Sequence, residues 1–306
     1  MAVTASLFGV LLAVFSGLAP APAWGEESGG GRFQGWYREL REQALRTPFG
    51  VPLAMRSDDR NDQVVAAVQA IVEHPFDTVR AALISPASWC DILPLNVTIK
   101  ACAFQPLPSE IPLTLYVGPK HYQSPQDALA QPYRFVVQAR EPGTLSVSLS
   151  ALNGIYGTTA HRFELEAGSV DGRTVIALHS SYVQSAASKL ATAVYLATLG
   201  RNKVGFTRED SGSGPPRYVK GLRGMVERNI MRYYLAFEAY LDTQSVPAPH
   251  RLESRLNMAY ELMERYPLQL HDLEKKEYLD IKRRERENQL RLQPQLGAPA
   301  PFFAGH

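Results

Sequence analysis

The sequence carries no motif that announces a catalytic centre. It has no G-x-S-x-G turn, no H-E-x-x-H, no P-loop and no G-x-G-x-x-G following a strand, which removes the hydrolases, metalloproteases and nucleotide binders that those spacings build. The seven histidines, at 74, 121, 161, 179, 250, 271 and 306, never stand four residues apart or beside a cysteine. A metal-ligating set is therefore missing, and neither a metal nor another cofactor is expected. A surplus of one charge is missing too: 32 basic residues face 30 acidic ones, so there is no basic field of the kind a nucleic-acid binder needs. After the first two dozen residues no uncharged run reaches the length that spans a bilayer, so the mature chain is expected to have no transmembrane span.

What the chain does have begins at its N-terminus. Leu7 to Leu18 is almost wholly apolar, and the small residues Ala19 to Gly25 follow before the first acids, Glu26 and Glu27. An apolar run of about a dozen residues is too short to cross a membrane but fits the core of a secretory signal peptide. Cleavage would follow Ala23 or Gly25; the n-region, without Lys or Arg, leaves an uncleaved anchor as the rival. Residues 1–25 are thus expected to be a signal peptide and the remainder a periplasmic or secreted protein. In such a compartment the even pair Cys90 and Cys102 reads as a disulfide, with free thiols or a metal as alternatives.

Residues 26–62 read as a lead-in arm: a flexible Ser-Gly stretch, a short amphipathic helix from Phe33 to Leu45, and a polar, turn-rich segment. From 63 to 243 the patterns are strong. Val64, Ala66, Val68, Ala70 and Val72 share one parity, which predicts a strand with one buried face. Pro75 opens a helix through Ile84, and a second helical turn covers Ser88 to Leu93. Period-two texture then runs through Val97–Phe104, Leu113–Val117, Tyr133–Arg140, Thr144–Ala151, Thr159–Ala167 and Arg173–Val183. In the fifth of these His161, Phe163 and Leu165 share a face opposite Arg162, Glu164 and Glu166, the mark of an antiparallel sheet with one wet side. A helix over Ala186–Leu199 and a Gly- and Pro-rich loop precede a long helix, Leu222–Thr243, whose apolar arc is broad and aromatic. Met231 and Leu235 lie opposite that arc, so the helix is expected to be covered on two sides. On it Arg223 and Glu227 are spaced for an i,i+4 pair. Residues 244–293 form a C-terminal helical extension. Its last helix mixes 6 acids with 7 bases between Asp272 and Leu292, which reads as a solvated, salt-bridged surface open to a protein partner. Residues 294–306 read as a disordered tail.

Strand, two short helices, six strands and a long aromatic-faced helix: this order resembles the START-like, Bet v 1-like (SRPBCC) helix-grip superfamily, over about residues 63–243. The strings Trp89-Cys90-Asp91 and Glu227-Arg228-Asn229 are also similar to those of exported bacterial proteins. The resemblance implies an α+β fold in which a curved antiparallel sheet of about 6–7 strands wraps Leu222–Thr243 and leaves an apolar cavity. It implies a binding or carrier protein for a hydrophobic small molecule or lipid. The alternatives are a cyclase- or hydrolase-like enzyme using the same cavity, with His161 or His179 beside Asp91, and a scaffold working through the C-terminal helices. On the carrier reading, deletion of 247–306 leaves ligand binding intact.

Candidate contacts follow from parity. His161 points to the apolar side of its strand, and Tyr182, Tyr233 and Phe237 are core or pocket lining. Asn229, inside the helical arc, is either a structural amide or a ligand contact. Glu227 and Arg228 are expected in surface or interhelical salt bridges.

Overall fold

The computed structural model describes residues 29–296, apart from positions 45, 46, 140, 199, 211 and 213. The expected signal peptide at 1–25 and most of the expected tail lie outside the described residues. The chain opens with α1 (Gly29–Gln43) and β1 (Leu53–Asp58), followed by β2 (Gln63–Val72), α2 (Phe76–Leu83), α3 (Pro86–Ile92) and β3 (Ile99–Phe104). Then come β4 (Ile111–Val117), β5 (Leu129–Gln138), β6 (Thr144–Asn153), β7 (Thr159–Val170) and β8 (Arg173–Val183). After β8 come α4 (Ala186–Ala197), a pair of two-residue strands at Arg208–Glu209 and Arg217–Tyr218 that form a small sheet of their own, α5 (Gly221–Asp242), α6 (Ala248–Glu264), α7 (Pro267–Leu270) and α8 (Lys275–Leu292).

The eight strands make one antiparallel sheet in the order β1-β2-β8-β7-β6-β5-β4-β3. All neighbours but β2 and β8 are consecutive in sequence, so the sheet is a run of hairpins closed by one long-range pairing. The turn from β7 to β8 holds Asp171 and Gly172 at φ 50° and 77°, the paired positive angles of a tight two-residue hairpin. Between β2 and the far edge strand β3 the chain crosses one face of the sheet through α2 and α3. That face grips α5.

Both sides of α5 are covered. Val226, Ile230 and Phe237 join the sheet's core, and Met231 and Leu235 are buried among α6 residues such as Leu256, Ala259 and Leu262. This is the α+β helix-grip fold expected from the sequence, with one strand more. The segment read as turn-rich contains β1, paired with β2 from Leu53↔Ala70 to Asp58↔Val65; as an edge strand with Leu53 its sole buried residue, it has no alternation to read. The supposed Gly linker is helical from Gly29. Through Phe33, Tyr37 and Leu40 the helix α1 packs on Ile71, Val170 and Val175 across the sheet's outer face. Gly168 is needed there, since a Cβ would lie 2.2 Å from the Phe33 ring.

The C-terminal extension departs most from expectation. Helix α8 is no solvated surface: it buries Tyr278, Leu279, Ile281, Lys282, Glu285, Arg286 and Gln289. Its amides complete the bare edge of β3. Gln289 Oε1 accepts the Cys102 N–H at 2.7 Å while its Nε2 donates to the Cys90 carbonyl at 2.8 Å. One turn on, Gln293 accepts from Phe104 N at 3.1 Å and donates to Phe104 O at 2.7 Å, so residues 294–296 continue a 3-10 turn where the tail was expected.

Cys90 and Cys102 form the disulfide, with Cα atoms 4.9 Å apart, and tie α3 to β3. Both sulfurs are buried. Closing a loop of this length stabilises by about 3 kcal/mol, so the Cys90→Ala/Cys102→Ala protein should lose that much in urea denaturation; an unchanged midpoint would contradict the assignment of a structural bond.

The loop before α5 is pinned to that helix. Buried Glu227 accepts from Phe206 N at 2.6 Å, Thr207 N at 2.9 Å and Ser57 Oγ at 2.6 Å, and Arg228 donates to the Val204 carbonyl at 3.1 Å. Among the described residues neither makes the surface or interhelical salt bridge expected of it. Arg223 turns to Ser57 and Glu209 instead of Glu227, because Glu227 is already spent on backbone donors.

Candidate functional site

The inner face of the sheet divides into a solid end and an open end. At the solid end register aligns Phe135 with Leu149, Leu149 with Phe163 and Leu165 with Leu178. Trp89, delivered by α3, stands edge-on to Phe135 and Phe163 at 6.3 and 5.9 Å between centroids, and Phe163 stands edge-on to Tyr233 at 5.2 Å. The hollow among Trp89, Phe163, Leu178, Tyr233 and Phe237 measures about 10 Å³, room for one water. The large cavity expected beneath the helix is not found there, because the indole of Trp89 and the side chain of Leu93 fill it. Phe237, 2% exposed, is core.

At the open end the same faces keep accessible surface. Tyr133, His161, Tyr182 and Tyr233 are half-buried, as are Leu222 and Met225 at the start of α5. His161 stacks on Tyr182 at 5.4 Å and 15°, and Tyr133 meets the imidazole edge-on at 6.3 Å. These rings stand side by side on the inner face of the sheet and keep accessible surface there.

Local chemistry fixes each group. The Thr158 hydroxyl gives its proton to the Ile155 carbonyl at 2.7 Å and so accepts from His161 Nε2, also at 2.7 Å. The imidazole thus carries its hydrogen on Nε2 and keeps a lone pair on Nδ1. Burial holds His161 below the usual histidine range, which keeps the ring neutral. Gly154 makes room for it: a Cβ there would lie 2.0 Å from His161 Nε2. Burial pushes the pKa of Tyr233 up to about 12, with Asn229 and Asn96, joined to each other at 3.3 Å, as its polar neighbours. Burial pushes Tyr182 up to about 12 as well, and Tyr133 higher. All three phenols are therefore neutral hydrogen-bonding groups at physiological pH. The arrangement offers aromatic faces with a few fixed polar atoms, the usual make-up of a small-molecule site.

Of the residues singled out in the sequence, His161, Tyr182 and Tyr233 come together here and Phe237 does not. Asn229 is exposed on α5 rather than buried in the apolar arc; its Oδ1 accepts from Nδ2 of the fully buried Asn96 at 3.3 Å. Tyr133 and Asn96 were missed. Tyr133 shares parity with Phe135, a signal that was available, whereas Asn96 sits in a turn and is placed only by the fold. The histidine–aspartate alternative is not assembled. His179 lies on the outer face opposite Glu164, and Asp91 is held by Arg255 at 3.2 Å and Arg286 at 2.8 Å. Among the described residues no group of three His, Cys, Asp or Glu is placed to hold a metal, and no helix is long and apolar enough to cross a membrane.

Strand order and gripped helix define the class: an α+β helix-grip fold. No protein-family model matches the chain, and no curated protein matches it. Solved structures similar to it include a STAR-related lipid transfer protein from Xanthomonas axonopodis, at 9% identity over 62% of this chain and 98% of that one, with TM-score 0.37. Zhui aromatase/cyclase from Streptomyces sp. R1128 is 16% identical over 68% and 95%, with TM-score 0.33. Norcoclaurine synthase from Thalictrum flavum is 14% identical over 43% and 82%, with TM-score 0.31. These likenesses are distant and add nothing to the geometry of the site.

Proposed function

We propose that the protein binds a hydrophobic small molecule or lipid in the aromatic cleft between the sheet and the N-terminal half of α5, and that it does so outside the cytoplasm. One observation carries the reading. On an inner face otherwise packed to the density of a core, Tyr133, His161, Tyr182 and Tyr233 keep accessible surface side by side. Aromatic faces of this kind bind through area removed from water, at roughly 25 cal/mol per Å². The disulfide and the apolar N-terminal run support export.

The test uses the neutral fluorophore N-phenyl-1-naphthylamine and the mature chain. Saturable fluorescence enhancement is expected, with Tyr182→Ala weakening it about tenfold, the loss of roughly 1.4 kcal/mol of ring contact. A chain that gives no enhancement, or a Tyr182→Ala chain that binds as well as the parent, would remove the proposal. The charged helix expected to face a protein partner turns Lys282, Glu285, Arg286 and Gln289 inward, so no observation favours the scaffold alternative.

A further inference from the structure

Beside the cleft three bases share one carboxylate. Asp272, between α7 and α8, is 7% exposed at its side chain. Its Oδ1 receives Lys120 Nζ at 2.5 Å, from the β4–β5 loop, and Lys203 Nζ at 3.4 Å, from the loop after α4. Its Oδ2 receives Arg232 Nη2 at 2.6 Å, from α5. Arg228, one turn before Arg232, adds a buried guanidinium held by the Val204 carbonyl. Setting Arg228 aside against its buried neighbour Glu227, three cations on one anion leave two positive charges over.

Such an excess is costly where water is partly excluded. Two like charges about 4 Å apart repel by about 4 kcal/mol at an effective dielectric of 20. Burial pulls Lys120 and Lys203 below the ordinary lysine range against the opposing pull of Asp272, and the neighbouring cations lower them further. They stay open enough, at 36% and 26% side-chain exposure, for an anion from outside to reach them. The cluster is also continuous with the aromatic cleft. Arg232 is the residue before Tyr233, and Asn229, exposed on α5, precedes them by three and four residues and accepts from Asn96 Nδ2 at 3.3 Å. Residues three and four apart share one helical face, so the cations, Asn229 and the Tyr233 phenol form one lip.

The geometry points to a site for an anionic head group, a carboxylate or a phosphate, at this lip, with Lys120 and Lys203 as the groups that contact it and the ligand's apolar body lying among the rings. The ligand class is thereby narrowed to acidic amphiphiles; the inference rests on the cleft reading. Asp272 and Arg232 position the two lysines.

Binding of cis-parinaric acid and of its neutral methyl ester, both read by fluorescence, separates the two claims. The acid is expected to bind at least tenfold more tightly than the ester at low salt, and the gap to narrow as salt is added. In the Lys120→Gln/Lys203→Gln protein the acid should fall to the level of the ester while the ester is unchanged. That variant leaves Asp272 balanced by Arg232, so it keeps its fold, which its thermal melt checks. Displacement of the bound acid by laurate or by dodecyl phosphate tells carboxylate from phosphate, and stronger displacement by either supports the site. Equal affinity for acid and ester, or an acid preference that survives in the double variant, overturns the anion site and leaves the cleft standing. Binding of neither overturns both.

Discussion

Replacing Glu285 with alanine should cost the fold about 3–5 kcal/mol, the penalty for removing one partner of a buried charge group. Glu285 accepts from Lys100 Nζ at 3.0 Å and from Lys282 Nζ at 2.5 Å, and all three side chains are at most 2% exposed. Without it two ammonium groups remain in the interior with backbone carbonyls alone: Val97 and His121 for Lys100, Asn96 and Ile99 for Lys282. Even with Glu285 the group carries one positive charge too many, and burial lowers Lys282 to about 8, with Lys100 lowered also.

The pH dependence follows. Between about 8 and the ordinary lysine value of 10.5, the unfolded chain binds more protons than the folded one, so stability rises with pH through that window. Below it both states hold the protons and the penalty is constant. Urea denaturation of Glu285→Ala at pH 7 and pH 9.5 should show the large loss at the lower pH and partial recovery at the higher. The Lys100→Met/Lys282→Met/Glu285→Leu protein should fold about as well as the parent, since apolar replacement of a whole buried group is often neutral. A loss below 1 kcal/mol for Glu285→Ala would show that the three groups are not buried together in solution.

Ending the chain at Glu274 should abolish cooperative folding altogether. The cut removes α8, and with it the hydrogen bond from the Tyr278 hydroxyl to Leu95 O, the two glutamine amides on β3 and the carboxylate between the lysines. Each buried polar group left without a partner costs about 1–3 kcal/mol, and several such losses exceed the 5–15 kcal/mol that holds a typical domain together. The near-ultraviolet circular dichroism and thermal melt of the shortened chain decide the matter. A sharp melt within a few degrees of the parent would return α8 to the role of a dispensable appendage. On the same reasoning deletion of residues 247–306 is now expected to unfold the chain and so to abolish ligand binding.

The misreading of α8 has a physical origin. Alternation of apolar and polar residues reports burial only where buried residues are apolar, as on the inner face of β7, which runs three residues beyond the expected Ala167. Strand β2, read as having one buried face, is buried on both from Ala66 to Val72, with α1 packed on its outer side at Ile71. In α8 the buried positions include Lys282, Glu285, Arg286 and Gln289 beside Tyr278, Leu279 and Ile281, and the polar four carry the sequence signature of a wet helix until their partners are known. Glu227 deceived for a related reason, since its partners are backbone amides 20 residues away. The candidate site was half legible. Parity put His161 and Tyr182 on the inner face, but which inward rings are packed and which stay open depends on where Trp89 lands, and that is set by the path of α3 across the sheet.

The glutamine-covered edge of β3 has a consequence for how the chain is made. Cys102 and the side chain that caps it are 187 residues apart, so at 5–20 residues per second the strand is synthesised roughly 10–40 s before its cover. Throughout that interval an unpaired ribbon of backbone donors and acceptors is available to any other nascent chain. The protein should therefore lean on a holding chaperone while it is being produced, and its yield should fall when translation is slowed downstream of β3.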